Sequence, residues 1–153
     1  MVKEISKGLK WIFLINFIYS LVFGVLLFFM VEIYLGWFGI PFQSPFFLSF
    51  GGLFGGILLG YASASFMAWK QTEWEKVKIV VIMNIIWNML GAFIFLGEFY
   101  AGALVFFGVV PSYAVAVQPL YIPLIYLIPS LGFLAAFIYF YSQHEKKKKL
   151  DRG

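Results

Sequence analysis

The sequence contains no cysteine, which excludes disulfide bonds, thiolate metal sites and cysteine nucleophiles. Histidine is nearly absent, because His144 is the single imidazole in the chain. The motifs G-x-x-x-x-G-K-S/T, H-E-x-x-H and G-x-S-x-G, which hold phosphates, zinc or an activated serine, are also missing. We therefore expect no catalytic residue, no metal site and no cofactor, and the sequence favours a non-enzymatic protein.

Charged residues are scarce as well. They make up 12% of the chain, whereas soluble domains carry about 25%. Hydrophobic residues make up 63% and aromatic residues 22%. This composition excludes the soluble classes and predicts a single integral membrane domain over residues 1–153.

The few basic residues predict the topology. All eleven Lys and Arg fall within residues 3–10, 70–78 and 146–152. We expect a multi-pass protein of the plasma membrane. Because Lys and Arg in short loops mark the cytoplasmic side, both termini and the middle loop are expected in the cytoplasm. An apolar stretch of about 20 residues crosses the hydrocarbon core. The predicted spans cover residues of about 11–33, 46–69, 78–98 and 120–142.

Two uncharged or aromatic connections lie between these spans. Residues 32–45 mix aromatics with Gly and Pro, which is typical of a turn at the membrane interface. Residues 99–118 carry no charge, but Gly102, Gly108 and Pro111 interrupt them. We expect an interfacial or re-entrant segment there, since a fifth span would place the four consecutive lysines outside. The predicted fold class is an all-α polytopic membrane protein, a four-transmembrane-helix bundle with this segment between helices 3 and 4.

Small residues recur at every fourth position of the second span. In a helix they form one strip with little side-chain bulk, and such strips let helix backbones approach closely in lipid. Membrane helices are also rich in glycine in general, so composition alone is the other interpretation. The predicted packing strip consists of Gly52, Gly56, Gly60, Ala64 and Ala68.

Polar side chains occur at similar depth in several spans and form a candidate intramembrane polar site. They can line a path for a solute or an ion, or they can join helices by hydrogen bonds, which is the commoner role. Its members are Asn16, Ser20, Ser65, Asn84, Asn88 and Ser130.

Two carboxylates, Glu32 and Glu98, are predicted at the outer surface. Each lies about 30 Å from the inner end of its span at 1.5 Å rise per residue. Paired carboxylates can bind a cation or share a proton, but acidic residues at the end of a span are often hydrated boundary residues.

A run of four lysines follows the fourth span just inside the membrane. These residues can anchor the topology or hold anionic lipid headgroups, at about 1 kcal/mol per basic residue. Nucleic acid is not an expected partner, because the run lacks interleaved aromatics and a folded platform. The candidate headgroup residues are Lys146, Lys147, Lys148 and Lys149.

Residues 51–97 combine a glycine-rich span ending in Ala68-Trp69, a short charged loop containing Trp74, and the stretch VKIVVIMNIIWN. This third of the chain resembles the small prokaryotic four-span membrane proteins that are loosely DoxX-like. The resemblance implies a four-helix membrane bundle and supplies no catalytic residue.

Three classes of function remain open at this point. The first is a non-enzymatic accessory, assembly or lipid-associated protein, whose partners are membrane lipids and either a second copy or another membrane protein. The second is a small oligomeric transporter or channel for a small or uncharged solute. The third is a membrane-embedded enzyme.

Overall fold

The computed structural model describes residues 4–37, 45–108 and 121–150. Five helices follow one another there: α1 (Lys7–Phe29), α2 (Val31–Trp37), α3 (Pro45–Lys70), α4 (Trp74–Phe106) and α5 (Tyr121–Leu150). Four of them contain a stretch long and apolar enough to cross a membrane: Lys7–Phe29, Gly51–Lys70, Trp74–Gly97 and Leu124–Lys146. The predicted all-α fold with four membrane-spanning helices is confirmed.

Local chemistry accounts for several helix ends. Ser6 caps α1, because its hydroxyl accepts a hydrogen bond from the Leu9 N–H at 3.3 Å. Helix α3 begins at Pro45, whose fixed φ and missing N–H suit the first helical position. Helix α4 ends at Phe106, and Gly108 follows with φ +70°. Glycine adopts this left-handed conformation without strain, which makes it the usual residue just past a helix end.

The first span differs from its predicted bounds of 11–33. Helix α1 begins at Lys7 and ends at Phe29, and Met30 leaves the helical conformation with φ −133° and ψ 30°. Glu32 therefore does not extend α1 but lies in the first turn of α2. The expected interfacial turn is helical in its first part, and residues 38–44 of that turn lie outside the described residues.

Helix α4 continues beyond the third span, which ends at Gly97, close to the predicted residue 98. Helix α4 passes Glu98 and Gly102 without interruption, so the expected break at Gly102 is wrong. Glycine costs only about 1 kcal/mol in a helix interior, which the hydrogen bonds of a continuous helix can offset. The remaining part of the predicted interfacial or re-entrant segment, residues 109–118, lies outside the described residues.

The chain divides into two compact units, Met1–Val80 and Val81–Gly153. In the first unit, α1 and α3 pack antiparallel. The beginning of α1 lies beside the end of α3, where the Ile5 N–H donates to the Thr72 carbonyl at 2.8 Å. Near the other end of the pair, Gly24 of α1 lies against Leu59 of α3.

In the second unit, α5 packs antiparallel to the later part of α4. The rings of Phe95 and Tyr126 stack at 4.9 Å between centroids, and Ser130 lies against Gly91. Helix α5 continues on both sides of Pro129.

Large apolar side chains are exposed along all four spans. Ile18 of α1, Leu53 of α3, Phe93 of α4 and Leu131 of α5 are each about half exposed or more. A water-soluble protein rarely exposes so much contiguous apolar surface. These faces suit contact with lipid, as expected for a multi-pass membrane protein.

Candidate functional site

Two members of the predicted polar site, Asn16 and Ser65, meet in a direct hydrogen bond. The Asn16 side-chain amide donates to the Ser65 hydroxyl at 2.8 Å, between α1 and α3. Both side chains are buried, with 4% of Asn16 and none of Ser65 exposed. The bond therefore joins two helices through groups that contact little solvent.

Ser20 is the other buried polar side chain of α1, and only 4% of it is exposed. It follows Asn16 by one helical turn, so the two share a face, as the spacing predicted. This face of α1 also carries Leu9, Phe13 and Gly24, which are all buried. The polar groups of α1 therefore belong to its packed face.

Asn84 and Asn88 lie in the second unit and are both buried. The Asn88 amide donates to the backbone carbonyl of Asn84 at 2.8 Å, one turn earlier on α4. This bond satisfies part of the Asn88 hydrogen-bonding capacity within its own helix. The bond is consistent with the prediction that Asn84 and Asn88 lie on one face of the helix.

Ser130 of α5 lies level with Gly91, three residues beyond Asn88. Its hydroxyl oxygen is 3.4 Å from the position that a Cβ on Gly91 would occupy. The glycine thus leaves space for the serine side chain between α4 and α5. The sequence placed Ser130 beside Asn88, and it lies about one turn away on the facing helix.

The close approach of α1 and α3 uses a different row of small residues from the predicted strip. Within the described part of the chain, no atom outside the local helix lies within 4 Å of a Cβ built on Gly52 or Gly60. A Cβ on Gly56 would meet the Phe28 ring at the ordinary distance of 3.6 Å. Ala68 is buried, whereas Ala64 is half-buried.

The crowded glycines are Gly51 and Gly55. A Cβ on Gly55 would clash with the backbone nitrogen of Phe28 and lie 2.9 Å from the Gly24 carbonyl oxygen. A Cβ on Gly51 would lie 2.5 Å from Cγ2 of Val31. Gly24 and Gly55 therefore mark the point where the two backbones come closest, one residue earlier in register than the predicted strip.

The two candidate carboxylates lie on different helices. Glu32 is exposed in the first turn of α2. Glu98 lies in the continuous helix α4, and its side chain is outside the described residues. No group of three or more His, Asp or Glu that could hold a metal ion occurs in residues 4–37, 45–108 and 121–150.

The lysines after the fourth span lie on helix α5, which continues to Leu150. Lys146 is exposed, and the side chains of the other three are outside the described residues. Two residues before Lys146, His144 is buried, and its Nδ1 lies 2.8 Å from the Phe140 carbonyl.

A basic groove that the sequence did not predict lies at the other end of the α1–α3 pair. It has a volume of about 230 Å³ and is lined by Lys7, Lys10, Trp11, Leu14 and Trp69. The sequence contained a signal for this groove, because lysines lie at the start of the first span and a tryptophan lies near the end of each of two spans. What the sequence could not show is that these ends lie side by side.

Comparison of the chain with protein-family models, with curated proteins and with solved structures found no match.

Proposed function

We propose that the protein is a non-enzymatic, lipid-associated membrane protein with an accessory or assembly role, and that the buried pair Asn16 and Ser65 joins two of its helices. The observation that carries this proposal is the Asn16–Ser65 hydrogen bond, which is short, buried and made between two helices. A path for a solute would need these groups to face an aqueous space. Here they face each other.

The exposed surface supports the lipid-associated part of the proposal. Large apolar residues cover the outward faces of the spans, and the basic residues lie at the ends of the apolar stretches. We assign the protein to the plasma membrane with both termini in the cytoplasm, because all eleven Lys and Arg then lie on one side. The resemblance to DoxX-like proteins remains a prediction about its family.

The test separates this role from transport through the polar site. The wild-type protein and an Asn16→Leu variant are reconstituted into liposomes, and the fluxes of glycerol, urea and potassium are compared with those of protein-free liposomes. We expect the three preparations to show the same fluxes. Thermal unfolding in detergent should show a modest loss of stability for the variant, because an interhelical hydrogen bond contributes about 0.6 kcal/mol on average.

The opposite result would support a small transporter or channel. That result is a solute-specific flux in the wild type that disappears in Asn16→Leu while the melting temperature is unchanged. A Ser63→Ala variant serves as the matched control, since the Ser63 hydroxyl is exposed and bonds to the Leu59 carbonyl of its own helix.

A further inference from the structure

We propose that the groove between the start of α1 and the end of α3 binds the phosphate group of an anionic phospholipid. The groove is lined by Lys7, Lys10, Trp11, Leu14 and Trp69. The inference rests on the lipid-associated role proposed above and adds a defined site and a lipid class. It concerns residues other than the lysines of the C-terminal tail.

The charge of the groove favours an anion. Lys7 and Lys10 lie in the first two turns of α1, where the helix dipole is positive, and the first turn contains no acidic residue. Acidic side chains are the usual stabilising groups at this position. Within the described part of the chain, neither lysine forms an ion pair. A bound phosphate would place negative charge beside the first turn of α1, whose nearest acidic residue along the chain is Glu4, before the Ser6 cap.

The neighbouring lysines of this unit differ in this respect. Lys76 pairs with Glu73 at 2.7 Å between the ammonium nitrogen and a carboxylate oxygen. The Lys70 ammonium lies 4.5 Å from the centroid of the Phe66 ring, in a cation–π contact. Lys7 and Lys10 line the groove, and in the described part of the chain neither forms an ion pair or a cation–π contact of this kind.

The apolar surroundings favour a lipid over a free phosphate ion. Trp11 and Trp69 lie at the ends of two spans, the level at which tryptophan collects beside lipid headgroups. From Trp11, an exposed apolar face of α1 continues through Ile15, Ile18 and Val22, each 50–52% exposed. The spacing of these residues keeps them on one side of the helix. An acyl chain can follow this face while the phosphate occupies the groove.

The experiment measures lipid selectivity of the full-length protein. The protein is equilibrated in mixed micelles with equal amounts of phosphatidylglycerol and phosphatidylcholine, and bound lipids are counted by native mass spectrometry. We expect the wild type to retain phosphatidylglycerol preferentially. The double variant Lys7→Gln/Lys10→Gln should lose this selectivity by about 25-fold, since each basic residue near the surface contributes about 5-fold.

Two further variants keep the result specific. Lys76→Gln/Lys78→Gln removes the same net charge from the same unit and should change the selectivity little. Lys7→Arg/Lys10→Arg retains the charge and should restore it. Circular dichroism of each variant establishes that the fold is intact. An equal loss of selectivity in the Lys76/Lys78 variant would overturn the proposal in favour of non-specific attraction.

A third arm separates a lipid from a free phosphate. Glycerol phosphate, which carries the headgroup chemistry without acyl chains, should not displace phosphatidylglycerol from the wild type at equal concentration. Displacement would overturn the lipid assignment. This assay measures bound lipid, whereas the liposome assay measures flux, so the two proposals can fail separately. A solute flux would disprove the proposed function and leave the groove assignment standing. A wild type without lipid selectivity would disprove the groove assignment and leave the flux result unchanged.

Discussion

Ser65 gives the buried Asn16 amide a hydrogen-bond acceptor that lipid cannot supply. The donor and the acceptor lie on different helices, so the bond also fixes the register of α1 against α3. In a membrane such a bond contributes less than its burial suggests, because the polar groups of separated helices also form hydrogen bonds with other groups within the membrane.

We predict that Ser65→Ala lowers the free energy of unfolding by about 0.6 kcal/mol, with an upper limit of about 1.7 kcal/mol. Denaturant titration in detergent measures this change. Ser63→Ala is the matched control on the same helix, because the exposed Ser63 hydroxyl bonds within α3. Equal losses for the two variants would mean that the contact with Asn16 contributes no measurable stability.

Gly55 is the residue at which α3 tolerates least additional volume. The atoms that a Cβ would meet belong to the backbone of Phe28 and Gly24, so no side-chain rotation can make room. We predict that Gly55→Ala destabilises the protein by about 1–3 kcal/mol, the usual cost of overpacking. Gly52→Ala, three residues earlier in an open environment, should be neutral or slightly stabilising. Thermal unfolding in detergent compares the two, and similar shifts would contradict a backbone contact at Gly55.

The pairs of glycines in α3 explain why the sequence predicted the membrane spans but not the packing row. The sequence FGGLFGGILLG contains two rows of small residues, one through Gly52 and Gly56 and one through Gly51 and Gly55. Both have four-residue spacing, so both satisfy the pattern for close helix packing. Only the position of Phe28 on the neighbouring helix determines that α1 uses the second row, and that position is a tertiary property.

The helix ends show the same division between local and tertiary information. Pro45 starts α3 close to the predicted residue 46, because its preference for the first helical turn is local. In contrast, the end of α1 at Phe29 has neither Gly nor Pro beside it, and an apolar run continues across it. Hydropathy therefore extended the first span to residue 33. The polar site was partly predictable, since depth indicated Asn16 and Ser65, whereas their direct contact needed the antiparallel register.

Helices α4 and α5 contact each other beside Gly91, where the space over the glycine admits the Ser130 hydroxyl at an ordinary van der Waals distance. Ser130 fills this space, and the Phe95–Tyr126 stack lies one turn away on the same pair of helices. We predict that Gly91→Leu separates the two helices and lowers the melting temperature in detergent. Gly97→Leu, on the same helix with open space around its Cβ, should have little effect. Equal effects of the two leucines would contradict a close contact at Gly91.

For the whole molecule, the structure adds one constraint to the topology predicted from charge. The segment before α1 and the loop before α4 lie together, through the bond from Ile5 to Thr72 and an antiparallel bridge between Glu4 and Glu73. Both segments therefore lie on the same side of the membrane. The chain between the segment before α1 and the loop before α4 contains the two antiparallel helices α1 and α3. This arrangement agrees with one crossing outward by α1 and one crossing back by α3.

The lysines predict that this side is the cytoplasm, and labelling can test the prediction directly. The chain contains no cysteine, so single cysteines can be introduced without a background signal. We predict that cysteines replacing Lys3, Glu73 and Lys149 react with an impermeant maleimide only after the cells are opened. A cysteine replacing Ser112 should react in intact cells, because four crossings leave residues 99–118 outside. Labelling at position 149 in intact cells would require a fifth crossing, and it would contradict the rule that the basic residues remain in the cytoplasm.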